Sequence, residues 1–142
     1  MKNKPIILVA GEPKSIFFEI FFKAIKIKKY KSPLILICCK KILLQEMKRH
    51  DSKKTLKIIN IDKLKNININ NNSINLINVE LQKFADHKHQ ITLTQKYIHE
   101  SFNIAFKLIR NGFTKKLING PINKKTFLNK KFYGVTEYIS EN

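Results

Sequence analysis

Short apolar runs alternate with longer amphipathic stretches along the chain. Two runs, Ile6–Val9 and Leu34–Cys38, are continuously apolar, which is typical of strands buried on both faces of a parallel sheet. Further strands are predicted at Leu56–Ile59, at Ile74–Val79 and around Leu117. Because helical stretches separate these strands, the pattern predicts an α/β fold with a mainly parallel sheet flanked by helices.

The first predicted helix spans Ser15–Lys29. Its polar residues Glu19, Lys23 and Lys26 fall at i, i+4 and i+7 and form one narrow stripe. Most other positions are Phe or Ile, so this helix is expected to be heavily covered. A second, shorter helix is predicted over Ile42–Arg49.

The second half of the chain is more polar. The stretch Asn66–Asn72 has low complexity and is predicted to be a loop, and Gln82–Gln90 is expected to be irregular. Thr92 and Gln95 have the spacing of a capping box and predict that the clearest helix of the chain begins there. A last helix is expected to start near Glu137.

The net charge of the chain is strongly positive, with 28 Lys+Arg against 10 Asp+Glu and a formal charge of +18. Only Arg49 and Arg110 are arginines, and the lysines are spread over the whole chain among many Ile and Asn residues. These three residue types share A/T-rich codons, so compositional drift is favoured over nucleic-acid binding, and neither a nucleic-acid nor a membrane partner is expected. Cys38 and Cys39 are adjacent, which favours reduced thiols and a cytoplasmic protein.

Two turns are candidates for a ligand site. Gly11-Glu12-Pro13 follows the first strand and Asn119-Gly120-Pro121 follows the last one. Ligands of open α/β sheets bind at the carboxyl ends of the strands, where a glycine lets the backbone approach closely. The residues alone slightly favour plain strand-to-helix turns. Neither the glycine fingerprint of classical dinucleotide-binding folds nor a P-loop is present.

Three elements in this order carry a family resemblance. They are Gly11–Glu19, Asn119–Lys124 and Gly134–Glu137, and together they resemble the Gly-Glu-Pro, Thr-Gly-Pro-Ile-x-Lys and Gly-His-Thr-Glu elements of 4-hydroxythreonine-4-phosphate dehydrogenases. The resemblance implies that residues 1–142 form the N-terminal α/β portion of a longer enzyme, without an internal boundary. The implied fold is isocitrate/isopropylmalate dehydrogenase-like and incomplete at the C-terminus.

The resemblance also implies an oxidoreductase of pyridoxine (vitamin B6) biosynthesis. Such an enzyme oxidises and decarboxylates 4-phosphooxy-L-threonine with NAD or NADP, uses a divalent metal and forms a homodimer. Its metal ligands and most of its cofactor site lie downstream of the part that this chain resembles. No catalytic or metal-binding residue is therefore expected here, and the 142-residue chain alone is expected to be inactive.

Two positions are expected to meet the phosphorylated substrate by this resemblance. Thr136 keeps the family's threonine, whereas Val135 stands where the family has a histidine and has no hydrogen-bonding group. The supporting turns are expected to comprise Gly11, Glu12, Pro13, Gly120, Pro121 and Lys124. A basic nucleic-acid-binding module and a non-catalytic domain that binds a phosphorylated ligand remain as alternatives.

Overall fold

The computed structural model describes residues 3–82, 87–127 and 134–141, and within them five strands form one sheet. In chain order the strands are Ile6–Val9 (β1), Leu34–Cys38 (β2), Thr55–Ile58 (β3), Ser73–Asn78 (β4) and Leu117–Asn119 (β5). Their order across the sheet is β3-β4-β2-β1-β5, and all four neighbouring pairs are parallel. The predicted α/β fold with a parallel sheet is confirmed, and each strand lies within a residue or two of its predicted position.

Helices cover both faces of this sheet. They are Phe17–Ile27 (α1), Lys40–Arg49 (α2), His87–Arg110 (α3), Lys124–Phe127 (α4) and Val135–Glu141 (α5), with a short 3-10 helix at Ile61–Asn66. Buried residues of α1 and α2 share one apolar cluster, whereas buried residues of α3, α4 and α5 share the other. None of these helices, in the part of the chain that the structure describes, is long and apolar enough to cross a membrane.

The central strands are buried on both faces, as their continuous apolar runs predict. In β1, Ile7 and Val9 pack on the α3 side, whereas Leu8 packs on the α1 side. In β2, Ile35 packs on the α3 side and Leu36 packs on the α1 side. Each of these residues of β1 and β2 is at most 7% exposed. This two-sided burial stabilises the fold, because the hydrophobic effect scales with the apolar area removed from water.

The outer face of α1 corrects one expectation. Its four phenylalanines are buried against the sheet, but Ile16 and Ile20 are each 56% exposed and Ile27 is 85% exposed. The expected heavy covering is therefore wrong for this face, because a helix on a sheet buries only the side that touches the strands. The predicted polar stripe is confirmed, and Lys23 Nζ lies 2.6 Å from a carboxylate oxygen of Glu19.

The start of α3 corrects a second expectation. The helix begins at His87, so Thr92 lies inside it and the predicted capping box is wrong. Lys, His and Gln are all compatible with helix, and intrinsic propensity is weak compared with tertiary context. In the stretch Gln82–Gln90, which is expected to be irregular, residues 87–90 therefore form the first turn of α3, and residues 83–86 lie outside the described residues. The predicted last helix is confirmed as α5, although it begins at Val135, two residues before the expected start.

Candidate functional site

The carboxyl ends of β1 and β5 define a switch point in the sheet. The two strands are neighbours, with Val9 paired to Asn119. After β1 the chain passes to α1 on one face, and after β5 it passes to α4, whose Phe127 belongs to the cluster on the opposite face. Where neighbouring strands lead to opposite faces, their loops diverge and leave a crevice, which is the usual ligand position in open α/β sheets.

The two glycine turns meet at this point. A Cβ atom at Gly11 would clash with the carbonyl oxygen of Pro121, and one at Gly120 would clash with the carbonyl oxygen of Ala10. Gly11 also has a φ of +76°, which L residues with a side chain adopt only with strain. Both glycines are therefore required by close backbone approach, and the expectation that the two turns share one edge of the sheet is confirmed.

Hydrogen bonds join the two turns. The Gly120 N–H donates to the carbonyl of Val9 at 2.7 Å, and the Glu12 N–H donates to the carbonyl of Pro121 at 2.9 Å. The Glu12 carboxylate accepts from the backbone N–H of Asn123 at 3.2 Å. Glu12 thus links the first turn to the start of α4, which gives this residue a specific part in positioning the second turn.

The remaining turn residues surround this contact. Pro13 is half-buried beside Gly11, whereas Pro121 and Lys124 are exposed. Lys124 is the first residue of α4. The two turns therefore present a backbone surface beside two exposed lysines, Lys14 and Lys124. Whether these residues bind a ligand stays a prediction.

Helix α5 places the two residues expected to meet the substrate. Val135 is half-buried and packs against the α3-side cluster, whereas Thr136 is exposed in the first turn. Because the helix begins at Val135 and the Tyr138 N–H donates to the carbonyl of Gly134, Gly134 occupies the N-cap position. Thr136 is therefore not the cap of this helix, and its hydroxyl lies on the solvent side.

An aromatic cluster fixes α5 against α3 and α4. Tyr138 is 5% exposed and its ring lies 5.2 Å from that of Phe127 and 5.6 Å from that of Phe102. His99 of α3 lies 4.3 Å from the Phe127 ring, centroid to centroid, and 3.1 Å from the hydroxyl of Tyr138, measured from Nδ1. Burial lowers the pKa of His99, so the neutral ring is favoured in this position.

Sequence reasoning missed this cluster because its members are far apart in the chain. Phe102 follows the 3.6-residue period of α3, but His99 and Phe127 belong to no motif. The sequence offers one signal for the cluster, namely the apolar residue Val135 at the start of the last helix. The cluster matters for the site because it determines where Val135 and Thr136 lie.

The two cysteines lie at the carboxyl end of β2, next to α3. Cys38 and Cys39 are both free and buried, as expected for reduced thiols. The Cys39 N–H donates to the hydroxyl of Tyr97 at 3.3 Å. Burial raises the pKa of the Cys38 thiol well above its ordinary value and raises that of Tyr97 as well. Both groups are therefore protonated at neutral pH, which is a structural role and not a nucleophilic one.

The described residues do not provide a metal centre. No group of three or more His, Cys, Asp or Glu side chains in the ranges 3–82, 87–127 and 134–141 could hold a metal ion. The glycines at the switch point also lack the pattern of a classical dinucleotide site. The described residues alone therefore do not fit the divalent metal that the resemblance implies.

Fold and site together define a class: an open parallel α/β sheet with paired glycine turns at its switch point, as in many small-molecule enzymes. A scan of family models and a sequence comparison with curated proteins each gave no match.

Solved structures match over 98% of the chain. A Salmonella typhimurium protein described as a 4-hydroxythreonine-4-phosphate dehydrogenase has a TM-score of 0.77 at 20% identity. The 4-hydroxythreonine-4-phosphate dehydrogenases of Klebsiella pneumoniae and Burkholderia phymatum have TM-scores of 0.74 and 0.73 at 20% and 16% identity.

The chain spans 43–44% of the length of these three structures. At such low identities the comparison shows a shared fold. The expected likeness to the N-terminal portion of these dehydrogenases is therefore confirmed at the level of structure.

Proposed function

We propose that the chain is the N-terminal part of a dehydrogenase of pyridoxine 5′-phosphate biosynthesis. The reaction would be the oxidation and decarboxylation of 4-phosphooxy-L-threonine with NAD or NADP. The observation that supports this most is the contact between the Gly11 and Gly120 turns, in a fold shared with proteins that bear this activity in their names. Two of the three elements that resemble the family meet at this contact.

The substrate would lie over the backbone surface of the two turns. Thr136 is exposed and has a hydroxyl that can donate to a phosphate oxygen, whereas Val135 has no such group and is half-buried. Lys124 is exposed at the start of α4 and would supply positive charge. The aromatic cluster around Tyr138 would keep α5 in place while the phosphate binds.

The catalytic half of the reaction would require residues outside this chain. The structure neighbours are more than twice as long, and the described residues contain no metal-binding cluster. We therefore assign the nicotinamide cofactor and the divalent metal to polypeptide equivalent to the remaining length of the neighbours. The complete enzyme would be a homodimer.

A second candidate is a non-catalytic domain that binds a phosphorylated ligand. It is favoured because the described residues form a five-stranded sheet with a switch point and contain no metal-binding cluster. Both candidates predict that the 142-residue chain binds a phosphorylated ligand, and the first one predicts that this ligand is 4-phosphooxy-L-threonine. They differ in whether turnover follows when the missing half is present.

Binding is tested by titrating the isotope-labelled chain with 4-phosphooxy-L-threonine and recording amide chemical shifts. The shifts of Gly120 and Thr136 are expected to change with increasing ligand, and L-threonine without phosphate serves as the control. No change at these amides, or an equal effect of L-threonine, would contradict the dehydrogenase candidate.

Turnover is tested by following NAD and NADP reduction with substrate and added divalent metal. The isolated chain is expected to show none, because the described residues lack a metal-binding cluster. Metal-dependent reduction by the purified chain would contradict the assignment of the metal site to missing polypeptide.

A further inference from the structure

The opposite edge of the sheet contains an open cleft of about 920 Å³. It lies where the strands begin, and it is lined by the segment after α1, the start of β2 and the Asn-rich loop before β4. Pockets for small-molecule ligands fall in the range of about 300–1,000 Å³. This cleft is separate from the Gly11 and Gly120 turns, which lie at the carboxyl ends of the strands.

All charged side chains that line this cleft are positive. Its 24 lining residues include five lysines and no Asp or Glu, although the chain has 10 acidic residues. The lysines are Lys4, Lys28, Lys29, Lys31 and Lys54. Several like charges around one concave surface repel each other and focus a positive potential, which favours an anion with more than one charge.

Three of these lysines are available for a ligand. Lys54 donates to the carbonyl of Asn71 at 2.5 Å, and Lys4 donates to the carbonyl of Gly112 at 3.4 Å. Lys28, Lys29 and Lys31 are exposed, and their side chains form no hydrogen bond or ion pair within the described ranges.

The loop that holds these three lysines is fixed by one asparagine. The Asn71 amide donates to the carbonyls of Tyr30 and Ser32, both at 2.9 Å, and its Oδ1 accepts from the N–H of Leu34 at 2.8 Å. A side chain with three such bonds fixes the loop before any ligand binds. Preorganised cations lose less conformational entropy on binding than mobile ones.

A buried acceptor adds a second, independent feature. Asn75 lines the cleft and is 2% exposed, and its amide donates to the carbonyls of Leu34 and Asn70 at 2.9 and 2.7 Å. Its Oδ1 has no hydrogen-bond partner among the residues that the structure describes. An unpaired buried acceptor is costly, so a small shift of the residues around this oxygen that let a ligand hydroxyl or amine donate to it would be favoured.

We propose that this cleft binds a nucleoside polyphosphate. The phosphates contact Lys28, Lys29 and Lys31, a hydroxyl or exocyclic amine donates to Asn75 Oδ1, and the half-buried Tyr30 ring offers a face to the base. The site is independent of the proposed dehydrogenase activity, because it lies at the other edge of the sheet. It also gives part of the scattered positive charge a specific location.

The test is calorimetric titration of the 142-residue chain with ATP and with inorganic tripolyphosphate at physiological salt. The variant is Lys28→Gln/Lys29→Gln/Lys31→Gln. The matched control is Lys41→Gln/Lys48→Gln/Lys96→Gln, which removes three exposed lysines that do not line the cleft. ATP is expected to bind, with affinity reduced on the order of tenfold or more in the variant and less than about threefold in the control.

Each alternative outcome contradicts the proposal in a different way. Equal losses in the variant and the control would mean binding to general surface charge. Tripolyphosphate binding as tightly as ATP would exclude a contact to the nucleoside. A single-stranded oligonucleotide that binds where ATP does not would replace the proposal with a nucleic-acid surface. Substrate binding at the Gly120 edge is measured separately, so its failure would leave this result unaffected.

Discussion

The two edges of the sheet are built by different means. At the carboxyl edge, the Gly11 and Gly120 turns touch through backbone atoms, and neither position has room for a side chain. At the amino edge, the side chains of Asn71 and Asn75 form the connections and leave an open cleft between them. Adding a side chain at the glycines should therefore destabilise the carboxyl edge, whereas removing an asparagine side chain should destabilise the amino edge.

The largest effect is expected from adding a methyl group at the carboxyl edge. Gly11→Ala should lower the free energy of unfolding by about 3 kcal/mol or more, since it combines positive-φ strain with a backbone clash. Gly112→Ala is the matched control, because Gly112 has a similar φ of +71° but a Cβ added there would meet no other atom within 4 Å. It should cost about 1 kcal/mol. Equal losses in urea denaturation would show that the turns are not in close contact.

A smaller effect is expected from removing the amide at the amino edge. Asn71→Ala deletes three hydrogen bonds and should cost about 2 kcal/mol, at a typical net value near 1 kcal/mol per bond and with partial replacement by water. The control is Asn68→Ala, because Asn68 is exposed and its side chain makes no hydrogen bond within the described residues. If the two variants were equally stable in urea denaturation, the loop around Lys31 would not depend on Asn71.

The smallest effect is a pH dependence from His99. Burial lowers its pKa in the folded state, so below the ordinary value of about 6.5 the unfolded chain binds more protons than the folded one. Stability should therefore be fully present above this pH and fall as the pH decreases through it. Melting temperatures between pH 8 and pH 5 should show a shallower decrease for His99→Gln than for the wild type. Parallel curves would contradict burial of His99.

Sequence patterns predicted the sheet well and the site only partly. Continuous apolar runs such as Ile6–Val9 identify buried strands, because burial on both faces requires them. The start of α3 was mispredicted because Thr92 has the form of a cap while polar residues before it continue the helix. The local sequence pattern does not distinguish a helix start at Thr92 from one at His87, because tertiary packing determines where the helix begins.

The contacts that build the site are less accessible to sequence reasoning. The glycines were recognised as turns, but the closeness of Gly11 to Pro121 joins positions more than 100 residues apart. Asn71 and Asn75 belong to or lie beside a low-complexity stretch, in which no single asparagine stands out. Their importance comes from the carbonyls that face them, which only the folded chain brings together.

The central claim is that the carboxyl edge receives a substrate phosphate through Thr136. The most direct measurement is the dissociation constant of 4-phosphooxy-L-threonine for the wild type and for Thr136→Val, together with both melting temperatures. Loss of one hydrogen bond to a charged group should weaken binding roughly ten- to a hundredfold. Because Thr136 is exposed and does not cap α5, the melting temperature should change little. An unchanged dissociation constant would contradict the claim.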